Sequence, residues 1–223
     1  MISIVCPSRG RPQLAKRMID SFLNSPGCAV EILLYLNEDD PKLEQYKDLI
    51  NSEHYSIGPD RSPGYSWNML AQSAKHDIIF LIGDDAENTT QDWGNIVLNT
   101  FELYPDRIAM VVPSIGRKTK KEFCPHFLLH RNWIDTLGYF VPPHFHQWYV
   151  DSWTREVSKS LNRYILLENF TVPVEMAVGD ETDKKYRQTW LQERDQWLDR
   201  VTARWRDDDV KTLEKFIADY KNK

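Results

Sequence analysis

Asp77-Ile78-Ile79-Phe80-Leu81-Ile82-Gly83-Asp84-Asp85 is the stretch that decides how this chain is built. From Ile78 to Ile82 no polar residue interrupts the apolar run, so a strand made of these residues has no face for water. Such a strand belongs inside a largely parallel sheet with helices on both faces. Ligands of open sheets of this kind settle beyond the carboxyl ends of the strands, and Asp84 and Asp85 fall there. Adjacent carboxylates repel each other unless a positive group lies between them, and hard divalent cations take carboxylate oxygens. The pair therefore points to a metal–phosphate site. Its competing reading is turn and helix-cap chemistry, with Thr89, Thr90 or Asp92 equally suited to cap the next helix.

Upstream of this run the pattern alternates. Ile2 to Cys6 reads as a strand, Pro7 to Pro12 as a loop, and Leu14, Met18, Ile19, Phe22 and Leu23 as one face of a helix ended by Asn24-Ser25-Pro26-Gly27. A second strand from Val30 to Leu36 is followed by a helix from Lys42 to Asn51. His54 to Ile57 forms a short third strand, and Trp67, Leu70, Ala71 and Ala74 mark another helix. After the acidic pair come a helix from Trp93 to Tyr104 and a strand from Ile108 to Val112. This alternation predicts an α/β fold with an open, mostly parallel sheet flanked by helices. The loops that begin at Pro7, Asn37 and Asp84 then lie at one end of the sheet, where one nucleotide can touch all three.

Beyond Pro113 the pattern changes. Phe123 to His130 reads as a strand that returns to the sheet, Asn132 to Leu137 as a short helix and Tyr149 to Leu161 as a longer one. Arg163 to Leu167 and Phe170 to Val174 read as short strands. Asp183 to Tyr220 is largely helical, with Tyr186, Trp190, Trp197, Val201 and Trp205 on one stripe, and Asp207-Asp208-Asp209 is expected to break it and cap a last helix. The predicted organisation is a domain over 1–178, with a nucleotide-binding half at 1–113 and an acceptor half at 114–178, followed by a helical extension over 179–223.

Composition bounds the function. The 223 residues are 41% hydrophobic and 27% charged, which suits a globular domain with a sizeable core. A net charge of −5 argues against a generally basic nucleic-acid binder; Arg117-Lys118-Thr119-Lys120-Lys121 is a local basic patch that reads first as a solvated loop. Cys6, Cys28 and Cys124 are odd in number and lack metal-ligand spacing, so a reducing, cytoplasmic setting is expected. No leader peptide is expected, and no run approaches the ~20 apolar residues needed to span a bilayer.

The segments Ile2-Ser3-Ile4-Val5-Cys6-Pro7-Ser8-Arg9-Gly10-Arg11, Arg61-Ser62-Pro63-Gly64-Tyr65-Ser66-Trp67-Asn68-Met69-Leu70-Ala71 and Phe80-Leu81-Ile82-Gly83-Asp84-Asp85, in this order and spacing, resemble glycosyltransferases of the A-type (GT-A) fold, near the family 2 group. The resemblance covers roughly residues 1 to 175. It implies a nucleotide-sugar donor, with a UDP-sugar favoured, a Mn²⁺ or Mg²⁺ cofactor, an acceptor hydroxyl and inversion at the sugar. Asp85 with Glu87 keeps the Asp-x-Asp spacing of a metal motif, and Asp84 sits beside it. A metal there steadies the departing diphosphate.

The resemblance also suggests roles for other residues. Pro7, Ser8, Arg9 and Arg11 lie along the nucleoside diphosphate, with forked arginine–phosphate contacts. Asn37 and Asp39 reach base or ribose, or else form the turn before Pro41. Arg61 faces the diphosphate or donor sugar, and Asn68 holds a loop. Asp151, which opens a helix after an aromatic loop, is the candidate general base; its bland alternative is an acid that favours the helix N-terminus. His130, His146 and Trp148 are candidate acceptor contacts among the histidines and aromatics of that half. One departure from the family is that Val172-Pro173-Val174-Glu175-Met176 lacks the late histidine that many such enzymes use as a third metal ligand, leaving Glu175 or water. The competing classes are a nucleotidyltransferase, which would favour a glycine-rich loop with a lysine after the first strand, and a non-catalytic docking module. The acceptor is a glycan or another hydroxyl compound, with a modified DNA base a less favoured option.

Overall fold

The computed structural model of the chain describes residues 1–116, 125–174 and 180–222, apart from the side chains of Tyr186, Arg200 and Val201. Among the described residues seven strands form one sheet: β1 (Ile2–Ser8), β2 (Val30–Asn37), β3 (Tyr55–Gly58), β4 (Ile78–Leu81), β5 (Met110–Ser114), β6 (Phe127–His130) and β7 (Tyr164–Thr171), in the spatial order β3-β2-β1-β4-β6-β5-β7. β1 runs parallel to both β2 and β4, and β2 parallel to β3. β6 is antiparallel to β4 and β5, so the sheet is mixed on its second half.

The reading of 78–82 is visible in the packing. Ile78 and Phe80 enter one hydrophobic cluster, while Ile79 and Leu81 enter the other. The first cluster is closed by α1 (Pro12–Leu23), α2 (Leu43–Leu49) and α4 (Trp93–Glu102) through Phe22, Tyr46 and Trp93. The second is closed by α3 (Pro63–Ser73), α5 (Arg131–Leu137) and α6 (Val150–Ser160) through Trp67, Trp133 and Trp153. Each fully buried side chain of this size contributes about 1.5–3 kcal/mol by leaving water, which is why the strand tolerates no polar residue on either side.

Three helices close the described chain: the short α7 (Glu181–Arg187) and α8 (Trp190–Leu198), and the 22-residue α9 (Arg200–Lys221). Leu213 of α9 is fully buried in the second cluster, with Val210, Phe216 and Ile217 packed beside it. The expected break at Asp207-Asp208-Asp209 does not occur, and α9 runs straight through. The reason is tertiary: the Asp209 carboxylate accepts hydrogen bonds from the Tyr139 hydroxyl and from Trp153 Nε1, the latter at 2.7 Å. The acid serves as a partner for the buried Trp153 and the half-buried Tyr139 of the neighbouring elements instead of a cap. The two short strands expected between Arg163 and Val174 are one strand, β7, with a register shift opposite Pro113/Ser114. The basic loop at 117–121, Cys124 and Glu175 lie outside the described residues.

His144 sits in an aromatic box, with ring centroids 4.5 Å from Phe145, 4.6 Å from Trp153 and 5.3 Å from Trp205. Its Nε2 is buried without a hydrogen-bond partner, and burial pushes its pKa from 6.5 down to about 4. The unfolded chain binds the proton that the folded chain refuses, so His144 contributes stability above pH 6.5 that is lost as pH falls toward 4. Because the ring is only partly buried, the expected loss between pH 7 and pH 5 is about 1–2 kcal/mol. His144→Phe, which keeps the aromatic contacts, is expected to be as stable as wild type at pH 7 and to lose that much less on acidification, as read from urea unfolding at the two pH values.

Candidate functional site

The ends of β1 and β4 meet at a buried carboxylate. Asp84 is only 5% exposed; its Oδ2 accepts from Ser8 Oγ at 2.6 Å and its Oδ1 from Arg11 Nη1 at 3.3 Å. Burial raises its pKa to about 6, against the opposing pull of Arg11 and Ser8. Ser8 Oγ also bonds the Tyr46 hydroxyl at 2.7 Å, and that hydroxyl accepts from the Arg11 N–H at 2.9 Å. The loop after β1 is thus locked from below. Arg11 is held from above by Asp180, with Nε and Nη2 donating at 2.7 and 2.8 Å.

Arg9 pairs with Asp39 through both ends of its guanidinium. Asn37 is buried and donates to Asp60, which also takes Lys185 at 2.7 Å. The three loop starts inferred from the sequence therefore do lie side by side at one end of the sheet.

A cavity of about 370 Å³ opens above them. Its lining includes Pro7, Arg9, Arg11, Asp84 and Asp85 from the strand ends, Trp67, His126, Gln147 and Trp148, and Asp183 and Arg187 of α7; His126 lies beside the acids, its Cε1 3.5 Å from where a Cβ on Gly83 would stand. The Gln147–Trp148 wall is positioned by a residue that the sequence reading missed. Glu193 of α8 is fully buried, and its Oε2 accepts the backbone N–H groups of His146, Gln147 and Trp148 at 2.9, 3.1 and 3.0 Å. The same loop abuts α3 at Gly64, whose N–H donates to His146 O at 2.6 Å; a Cβ at Gly64 would stand 2.5 Å from Phe145 O, so only glycine fits.

The remaining sequence candidates are distributed as follows. Asn68 is spent on a loop: its Oδ1 accepts from the Phe140 and Val141 N–H groups at 2.8 and 3.0 Å, and its Nδ2 donates to Val141 O. Arg61 is exposed and stacks over Tyr65, 5.0 Å from the ring centroid. Glu87 does not join Asp85. It faces Arg17 of α1 at 3.7 Å, and its backbone N–H bonds Pro173 O, outside the cavity. His130 is separated from the site altogether: it pairs with Ile78 at the opposite end of β4 and caps α5, with Nδ1 accepting from the Asn132 N–H. Its position follows from the antiparallel run of β6, which carries its last residue away from the acidic pair. The His146 side chain is exposed and does not line the cavity. Asp151 opens α6 three residues after Trp148 but is not among the residues that line the cavity, and burial raises its carboxyl above the usual range.

Do these residues fit a divalent cation? Among the described residues no three His, Cys, Asp or Glu side chains converge on one point. Magnesium-type sites, however, often use one or two carboxylates and complete their shell with substrate phosphates and water. Asp85 suits that arrangement. It lines the cavity, and its Oδ1 occupies the space that a side chain at Gly83 would fill, 2.8 Å from the position of a Cβ there. A single carboxylate on the cavity wall fits only a cation whose remaining ligands come from a diphosphate and water, and Asp85 is the residue that would hold it.

No protein-family model matches the sequence, and no curated protein matches it. Solved structures do match the fold. S. aureus TarS in complex with UDP-GlcNAc superposes with a TM-score of 0.59 at 9% identity, covering 80% of this chain and 59% of that one. TarS in complex with UDP gives 0.55 at 10% identity, covering 76% and 59%. The mannosyltransferase PcManGT from Pyrobaculum calidifontis, in complex with GDP-Man and Mn²⁺, gives 0.57 at 12% identity, covering 83% and 59%. The chain therefore has a GT-A-like glycosyltransferase fold, and it spans 59% of the length of each of these relatives.

Truncating Glu193 to Ala strips the acceptor from three N–H groups of the 146–148 loop. The expected cost is at least about 2 kcal/mol, read as a lower denaturation midpoint, and Trp148 fluorescence is expected to shift as the wall loosens.

Proposed function

We propose that the chain is a glycosyltransferase that moves a sugar from a nucleoside-diphosphate sugar to an acceptor hydroxyl, as a member of the family 2 group with inversion at the sugar. The observation that carries this reading is the cavity at the carboxyl ends of β1 and β4, with Asp85 on its wall and two arginines beside it. The GT-A-like fold supports it, and TarS with UDP and UDP-GlcNAc favours a UDP-sugar, with a GDP-sugar the variant suggested by PcManGT.

In this mechanism Arg9 and Arg11 bind the diphosphate by exchanging partners. Arg11 leaves Asp180 and Arg9 leaves Asp39, each replacing a carboxylate with a phosphate of similar fork geometry. Asp84 stays buried and keeps Arg11 anchored while Asp180 lets go. Asp85 would hold a Mn²⁺ or Mg²⁺ ion, which would supply charge neutralisation at the diphosphate. Asp151 takes the proton from the attacking hydroxyl, and burial, by raising its pKa, brings the carboxylate closer to the working pH of a general base. The Gln147–Trp148 wall and α7 exclude water from the sugar.

Two measurements test this. A nucleotide sugar at a hundredfold its Kd, with Mn²⁺, is expected to stabilise the chain by about 2.7 kcal/mol; a thermal-shift panel of UDP- and GDP-sugars in which none raises the melting temperature would refute the reading. Asp151→Asn is expected to lower kcat by about 10²–10⁴ with the donor KM little changed, as measured by diphosphate release; unaltered turnover would remove Asp151 from its role.

A further inference from the structure

Asp180 puts a carboxylate where the proposed reaction needs a phosphate. Its two oxygens take the Nε and Nη2 edge of Arg11 at 2.7 and 2.8 Å, the forked arrangement that a phosphate also uses. Nη1 of the same guanidinium reaches Asp84 at 3.3 Å. The two acids are not equivalent. The side chain of Asp84 is 7% exposed and that of Asp180 40%, so the first is a fixed partner and the second meets water and solutes. An ion pair with one such exposed member is weak enough to exchange, and its hydrogen bonds from Arg11 hold the Asp180 carboxyl below the usual range, as an anion.

Short α7 keeps that anion in place. Asp180 Oδ1 also accepts the Asp183 N–H at 2.7 Å, and Asp180 O accepts the Lys184 N–H. The helix is pinned to the loops beneath it: Thr182 Oγ1 donates to Arg9 O at 2.8 Å, and Lys185 Nζ pairs with Asp60 at 2.7 Å. None of these contacts uses the Arg11 side chain, so they hold Asp180 beside the site when the guanidinium turns away. A group tethered in this way acts at an effective concentration of about a millimolar, enough to compete with a dissolved ligand.

The reaction creates the need for such a competitor. Breaking the bond between sugar and phosphate leaves the nucleoside diphosphate with one more ionisable oxygen than the nucleotide sugar had. Two arginines therefore attract the product more strongly than the donor, and the product blocks the next turnover until something displaces it. Resting on the glycosyltransferase reading, we propose that Asp180 is a tethered competitor for Arg11, yielding the guanidinium edge to the donor diphosphate and reclaiming it to release the product. Asp180 is thus a positioning residue that acts through Arg11.

The test uses the whole chain and Asp180→Asn, which removes the charge but keeps a good helix cap; Asp180→Ser, another good cap, is the second variant. Glu181→Gln is the control, because it removes a neighbouring charge that pairs with Lys184. Calorimetric titration follows UDP with Mn²⁺ and inorganic pyrophosphate without metal. Each Asp180 variant is expected to bind both ligands about three- to thirtyfold more tightly than wild type, and the control to stay within about twofold. In turnover, the donor KM and the inhibition constant of UDP are expected to fall together, whereas a merely structural role would raise them. The proposal is overturned if folded Asp180 variants bind both ligands no more tightly than wild type, or if Glu181→Gln tightens them equally. A wild-type chain that binds pyrophosphate with no preference for UDP defeats the parent reading, and the pyrophosphate comparison still decides the role of Asp180. If wild type binds neither ligand, the parent reading falls as well, and the competitor stands only if the Asp180 variants gain binding.

Discussion

The organising constraint is the burial of Asp84. A carboxylate 5% exposed at the end of a central strand is costly unless it is bonded, and its pKa of about 6 records that cost. Ser8 and Arg11 offset it, and both belong to the loop that follows β1. The acid thereby ties the two central parallel strands together at their carboxyl ends. Through Arg11 it also draws in Asp180, at the start of the C-terminal helices. Removing one partner from such a group leaves a buried charge uncompensated, an effect of about 3–5 kcal/mol. The neighbouring Asp85 faces the cavity instead. One acid thus holds the floor of the site while the next lines it, so two adjacent aspartates do different work.

The C-terminal helices take part in the site and do not merely flank it. Thr182 donates to Arg9 O at 2.8 Å, Lys185 pairs with Asp60, and Glu193 gathers three backbone N–H groups of the wall loop. The resulting cavity gathers charged residues from the ends of β1 and β4 with aromatic and neutral ones from α3, the 146–148 loop and the residue ahead of β6.

Much of this was legible in the chain itself, and the reason is periodicity. The uninterrupted run at 78–82 required helices on both faces, and its side chains do alternate between two cores. The loops after β1, β2 and β4 had to meet once those strands were parallel neighbours. Partner choice over long separations was not legible. Arg11 and Asp180 are 169 residues apart, Tyr139 and Asp209 are 70 apart, and Glu193 lies 47 residues from His146. Nothing local distinguishes Glu193 from the other acids of a charged helix, or Asp209 from its exposed neighbour Asp208. Glu87 misled for a related reason: spacing along the chain suggested a metal pair with Asp85, but the turn after Asp85 aims Glu87 at Arg17. His130 was likewise grouped with the other histidines before the direction of β6 was known.

A crystal structure of the chain with Mn²⁺ and a nucleoside diphosphate tests the account most directly. The expected result is an anomalous manganese peak bonded to Asp85, with the diphosphate beside it and Arg11 turned from Asp180 toward a phosphate oxygen. A diphosphate seated elsewhere, or a manganese peak remote from Asp85 with the Arg11–Asp180 pair intact, would contradict it.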